Sequence, residues 1–364
     1  MSPAVSAATL VTPPTAELRS FPGQPRRHTS PLPSAVELRE RLPLAPVLAQ
    51  QIQRQRQAIR AVLDGRDPRL LVVVGPCSLH DEKAALDYAE RLAGLARDLD
   101  QDLLLVMRAY VEKPRTTVGW KGLVYDPHLD GSADMHAGLE RSRGLMLRLA
   151  EIGLPLANEL LQPLLAGYFD DLLGWAAIGA RTSESQVHRE LVSGLDMPVG
   201  FKNGTDGSLG IACDAMRSAE HPHQHFGIDD LGHPALLQTR GNPDTHLVLR
   251  GGHRGPNYDA ASVASVRADL QRQGIAARIM VDCSHANSGK DPLRQPEVLR
   301  AVIDQRLAGD DALRGVMLES HLFDGSQPLS CELRYGVSIT DGCLGWDATE
   351  RVLREAAERL GRAE

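Results

Sequence analysis

Eight short apolar runs recur along this chain, each followed by a polar segment, and no other feature narrows the fold so far. They lie at 70–74, 103–107, 156–159, 176–180, 198–202, 245–250, 278–282 and 315–319. Helical spacing fits 83–98, 132–151, 164–175, 184–194, 208–219, 260–273 and 296–308 between them, and 348–361 after the last. Strand, helix, strand, repeated, implies parallel strands joined by right-handed crossovers. Eight such units predict an α/β fold closed into a (β/α)8, or TIM, barrel.

The barrel is expected to occupy residues 47–364 as a single domain. Residues 1–46 hold 9 of the 23 prolines and read as a partly disordered arm. A short helix is expected over 34–41, and a longer one over 45–64, where Leu48, Ile52, Ile59 and Leu63 recur at helical spacing. The long interval between Glu220 and Pro243 leaves room for a small hairpin, 225–228 with 235–238.

Composition removes several functions. A net charge of −7 and 4% aromatics argue against nucleic-acid binding, which needs a basic face or stacking platforms. Five cysteines, an odd number with no CxxC pair, argue against a disulfide scaffold or zinc ribbon. No apolar run approaches the ~18 residues that span a bilayer, so no membrane role is expected. No secretory signal is evident, and the expected compartment is the reducing cytoplasm. An organelle transit peptide stays open, because 18–36 lacks acids and holds several Ser, Thr and Arg residues.

Barrel enzymes react at the C-terminal ends of their strands. Two groups of residues fall there. The first is basic: Arg108, Lys113, Arg115, Arg181, Lys202 and Arg250. Arg forks match phosphate and carboxylate, Lys supplies point charge, and buried cations need anionic partners. The partners are ligand anions or, alternatively, protein carboxylates. The second group is Cys77, His285, Glu319 and Asp341, from the ends of the first, seventh and eighth strands. Those strands are neighbours in a closed barrel. One thiol, one imidazole and two carboxylates suit a divalent Mn, Fe, Co or Zn ion better than Mg or Ca. The plainer alternatives are a buried Cys acting as a small hydrophobe and a structural His.

Other positions carry weaker signals. Asn203-Gly204 and Asp206-Gly207 are ordinary turns or backbone donors to a phosphate. His188 and Glu190 read as surface residues of a helix. His221, His223 and His225 read as a solvated loop, and Trp120 with Lys121 as a loop wall.

At these residues the chain resembles the type I 3-deoxy-D-arabino-heptulosonate 7-phosphate (DAHP) synthases, in their microbial aldolase-like branch. The matching stretches are GPCSLHD at 75–81, MRAYVEKPRTTVGWKGL at 107–123, GARTSESQVHRE at 179–190 and PVGFKNGTDGSLG at 198–210. LRGGHRGPNYD at 249–259, MVDCSHANSGKD at 280–291, GVMLES at 315–320 and YGVSITDGCLGW at 335–346 continue it. They are long and unusual, and they keep their order along roughly 40–360.

The resemblance implies a barrel enzyme that condenses phosphoenolpyruvate (PEP) with erythrose 4-phosphate, releasing phosphate, in the first step of the shikimate pathway. It makes Cys77, His285, Glu319 and Asp341 the ligands of a divalent metal. Arg108, Lys113, Arg181, Lys202 and Arg250 would hold PEP, with Arg115 and Thr116 on the erythrose 4-phosphate side. Lys113, Lys202 and His285 would carry catalysis, Lys202 orienting or protonating rather than forming a Schiff base. A homodimer or homotetramer and an aromatic amino-acid inhibitor are further implications. The N-terminus departs from the family, which puts feedback control in doubt, although GSLGIACDAMRS and ALLQTRGNPD look closest to the tyrosine-sensitive branch. The alternatives are a related synthase using arabinose 5-phosphate, a Schiff-base lyase or aldolase, and a non-catalytic barrel acting as a regulatory subunit. KPRTT and the chain length argue against the first. No expected ligand is missing, which argues against the last.

Overall fold

The computed structural model describes residues 29–115 and 118–362. Eight parallel strands close into a ring: β1 (Leu70–Gly75), β2 (Leu103–Arg108), β3 (Leu156–Glu159), β4 (Trp175–Ile178), β5 (Val199–Lys202), β8 (Thr245–Leu249), β9 (Ile279–Asp282) and β10 (Leu313–Glu319). The expected hairpin forms as antiparallel β6 (Gln224–Ile228) and β7 (Pro234–Gln238), a separate two-stranded sheet. The seam lies at β1, which pairs with β2 on one side and with β10 on the other.

Side-chain alternation explains the closure. In β1, Leu71 and Val73 join the cluster inside the ring, with Val106, Ala157, Ala177, Val248, Met280 and Met317. Leu70, Val72 and Val74 join the larger cluster beneath the helices. A strand buried on both faces must be apolar throughout, and this one is. Each such Val or Leu side chain stabilises the fold by about 1.5–3 kcal/mol on burial.

The helices are α1 (Ala35–Arg41), α2 (Pro46–Leu63), α3 (Glu82–Asp98), α4 (Met135–Glu151), α5 (Ala166–Phe169), α6 (Gln186–Ser193), α7 (Gly210–Glu220), α8 (Ala260–Arg272), α9 (Gln295–Leu307) and α10 (Trp346–Gly361). α2 is the floor of the barrel. Its Ile59, Val62 and Leu63 enter the interior cluster at the end opposite the active-site loops. Ile59 packs on Gly174, just before β4. Above them, Trp175 Nε1 donates to His246 Nε2 at 3.2 Å, both residues wholly buried.

Ser34–Glu364 is one compact unit. It therefore includes the last dozen or so residues of the stretch that reads as an arm. Ser34 caps α1 through a reciprocal box with Glu37, and Leu38 is buried. The wholly buried Arg143 ties this segment down. It donates to the carbonyls of Leu42 at 2.8 Å and Tyr168 at 2.9 Å, and forks onto Asp171 at 2.8 Å.

One expected helix does not form as such. Over 164–175 the chain breaks into two 3-10 turns flanking the four residues of α5, and Trp175 begins β4. The reason is local. Carbonyls of Asp170 and Leu173 accept from buried Arg56 at 2.6 and 2.9 Å, so side chains satisfy groups that a helix would pair.

Candidate active site

Several barrel strands end at or just before a polar side chain: Arg108 ends β2, Glu159 β3, Lys202 β5, Asp282 β9 and Glu319 β10. Gly75 ends β1 with a φ of +149°, and a Cβ there would meet the Arg108 backbone at 3.1 Å. That close approach brings Cys77 beside the end of β2. Glu319 ends β10, and the loop after it returns with Asp341. Ligand atoms of Cys77, Glu319 and Asp341 all lie within 4.8 Å of one another. The expected convergence across the seam is therefore present for three of the four residues.

His285 stands outside that radius. Its Nδ1 lies 2.9 Å from Asp282 Oδ2. Its backbone sits in the left-handed region, φ +56°, unusual for a residue other than glycine. Its ring stands close enough to bear on the carboxyls of both Glu319 and Asp341.

The cations divide into two sets. Three are held by protein carboxylates: Arg108 with Glu319 at 3.2 Å, Lys113 with Asp341 at 2.7 Å, and Lys202 with Asp282 at 3.1 Å. For these three the protein-carboxylate alternative describes the structure, and ligand anions alone do not account for them. Arg250, Arg115 and Arg181 remain. Half-buried Arg250 makes no ion pair with the described residues, and Arg115 and Arg181 are exposed at the rim. Thr116 lies outside the described residues.

Burial and charge set the protonation of the site. Burial pushes the Cys77 thiol up to about 12, and the Glu319 charge adds to it. Burial works against the Lys113 ammonium, but Cys77, Glu319 and Asp341 more than offset this and raise its pKa. Burial would likewise raise Asp282, yet His285 and Lys202 hold it well below the usual carboxylate range. Arg108, wholly buried, keeps its charge against desolvation by lying 3.9 Å over the Tyr110 ring and beside Glu319.

The donor set fits a metal. A soft sulfur beside two carboxylates suits a divalent transition ion, whose charge would deprotonate the thiol. The Lys113 ammonium already sits where positive charge is wanted, 2.8 Å from Cys77 Sγ.

Several buried polar residues near this mouth stand outside the two groups expected from sequence. Glu159 ends β3 and Asp282 ends β9, both buried, and strand-end position was a usable signal for each. Of three asparagines, sequence singled out only Asn203. Asn203, Asn257 and Asn287 interlock side chains and backbone across the ends of β5, β8 and β9. Their pairing exists only after folding. Glu112 is buried beside the Tyr125 hydroxyl. His188 and Glu190 are also corrected: both are buried, His188 bridging the Ser185 hydroxyl and the Leu161 carbonyl at 2.9 Å each. In the histidine-rich loop, His221 and His223 pair with backbone carbonyls of Arg217 and Ser218.

Residues 47–354 match the pattern of the DAHP synthetase I family. The chain belongs to that family. It is 52% identical over 328 residues to the Tyr-sensitive phospho-2-dehydro-3-deoxyheptonate aldolase of Escherichia coli, covering 89% of this chain and 92% of that one. To the Phe-sensitive E. coli relative it is 49% identical over 327 residues, covering 89% and 93%. Among solved structures, a phospho-2-dehydro-3-deoxyheptonate aldolase from Francisella tularensis superposes with a TM-score of 0.91 at 40% identity, over 93% of this chain and all of that one. Among the described residues no helix is long and apolar enough to cross a membrane.

Proposed function

We propose that this barrel condenses PEP with erythrose 4-phosphate to DAHP and inorganic phosphate. One observation carries the proposal beyond family membership: a tier of cations and a Cys/Glu/Asp group meet at a single strand-end mouth. Arg108, Lys202 and Arg250, with Arg181 at the rim, neutralise PEP and fix it beside the aldehyde, so that proximity lowers the barrier. Lys113 stands at the Cys/Asp edge, placed to give a proton to the aldehyde oxygen as it gains charge. Arg115 and Thr116 take the phosphate of the second substrate.

In the reaction, C3 of PEP bonds to the aldehyde carbon, water adds at C2, and phosphate departs with cleavage of its C2–O bond. A divalent ion held by Cys77, Glu319, Asp341 and His285 would supply the Lewis acidity that polarises the aldehyde. Lys202 orients PEP as an ammonium. Its contact with Asp282 favours the charged form, which is no nucleophile. A Schiff-base route would be revealed by borohydride trapping of PEP on Lys202.

The test is PEP consumption with erythrose 4-phosphate, run after chelation and again after manganese is restored. Loss and recovery of turnover support the reaction and the metal together. Turnover that survives rigorous chelation removes the metal role, and no turnover in either state removes the reaction. Feedback by an aromatic amino acid, tyrosine before phenylalanine, extends the proposal. The support is the naming of the relatives and the higher identity to the Tyr-sensitive one. We place the enzyme in the cytoplasm as a homodimer or homotetramer.

A further inference from the structure

Asp282 ends β9 with its side chain wholly buried. One oxygen, Oδ2, accepts from Lys202 Nζ at 3.1 Å and lies 2.9 Å from His285 Nδ1, a close charge contact rather than an aligned hydrogen bond. The other, Oδ1, accepts from the Ser284 backbone N–H at 3.0 Å. The Asp282 carbonyl accepts from Asn287 Nδ2 at 2.9 Å, so the residue is fixed at both ends. Lys202 belongs to the cation tier and His285 to the metal side.

We propose that Asp282 is a positioning residue, holding Lys202 for PEP and His285 for the metal on one carboxylate oxygen. The inference rests on the function proposed above. With Nδ1 turned to Asp282, Nε2 is the ring nitrogen left for a metal. His285 needs such a hold, because it is 24% exposed and stands on a left-handed backbone. A carboxylate behind a ligating histidine fixes the tautomer and ring orientation and raises ligand basicity. The same oxygen offsets the buried Lys202 charge until PEP arrives.

Asp282→Asn keeps the shape and removes the charge. Manganese alone, titrated into the variant, should bind about 10–100-fold more weakly than into the parent. The KM for PEP should rise in the same variant. In a His285→Ala background, Asp282→Asn should cause no further loss of manganese affinity, because the effect passes through His285. A loss as large in that background as in the parent overturns the proposal. So does an Asp282→Asn variant within about twofold of the parent for both ligands, well short of the loss expected for a group behind a metal ligand.

Should Asp282→Asn fail to fold, the unmutated chain still decides. Histidine labelled with nitrogen-15 should show the His285 ring protonated at Nδ1, its signals assigned by their loss in His285→Ala. Protonation at Nε2 alone overturns the proposal. A parent that binds manganese but consumes no PEP sinks the proposed reaction, and the manganese titrations still judge Asp282.

Discussion

Lys113 Nζ lies 2.8 Å from Cys77 Sγ and 2.7 Å from Asp341 Oδ2, so one ammonium bridges two of the proposed metal ligands. The thiol it touches is nonetheless hard to ionise, because burial and Glu319 push it up to about 12. At pH 8 about one metal-free molecule in 10⁴ would carry the thiolate, the reactive form. Iodoacetamide at that pH should therefore label the exposed Cys331 first and spare Cys77. Peptide mass spectrometry reads this, and equal labelling rates would contradict it.

Arg250 makes no ion pair with the described residues, so its charge is free for an anionic ligand. Arg250→Ala should raise the KM for PEP about 10–100-fold, the equivalent of one charged hydrogen bond. Manganese affinity should stay at the parent level. Steady-state kinetics beside a manganese titration separate the two, and an unchanged KM would remove Arg250 from the PEP site.

Glu112 links pH to stability. Burial raises its carboxyl from 4.5 to about 7, with bonds from the Gln162 N–H and the Tyr125 hydroxyl opposing. The folded state thus keeps a proton that the unfolded chain has lost, and stability falls as pH rises across that interval. Glu112→Gln removes this loss. Between pH 5 and 8 the variant should gain about 2–3 kcal/mol over the parent in urea unfolding. Parallel pH curves for the two proteins would refute it.

His246 acts in the opposite sense. Burial lowers its imidazole from 6.5 to about 3. The unfolded chain takes up a proton that the folded state refuses, so stability drops as pH falls below the unfolded value. From pH 7.5 to 5 the parent should lose about 2 kcal/mol more than His246→Gln. Urea midpoints at the two pH values test it, and identical losses would show that His246 does not titrate this way.

Much of this was legible in the sequence because barrels reduce to order. Once eight strands are counted, the residues after 74, 282 and 319 must meet at the seam, whatever their separation along the chain. Cys77, Glu319 and Asp341 obey that rule. What stayed hidden depends on angles and partners. His285 lies outside the Cys/Glu/Asp cluster on a left-handed backbone, with its Nδ1 beside Asp282. The asparagine network joins three loops whose spacing carries no period. The false helix before β4 had the right apolar spacing, but buried arginines took its carbonyls. His188 read as surface because periodicity alone does not tell which face a short helix buries.

The seam at β1 has a consequence in time. Cys77 leaves the ribosome early, and Glu319 and Asp341 leave it near the end. A growing chain can build most of the wall and its α2 floor while the thiol still lacks its carboxylate partners. The proposed metal group is thus complete only when the last strand docks against the first. A translation product halted before β10 carries the cysteine without the site.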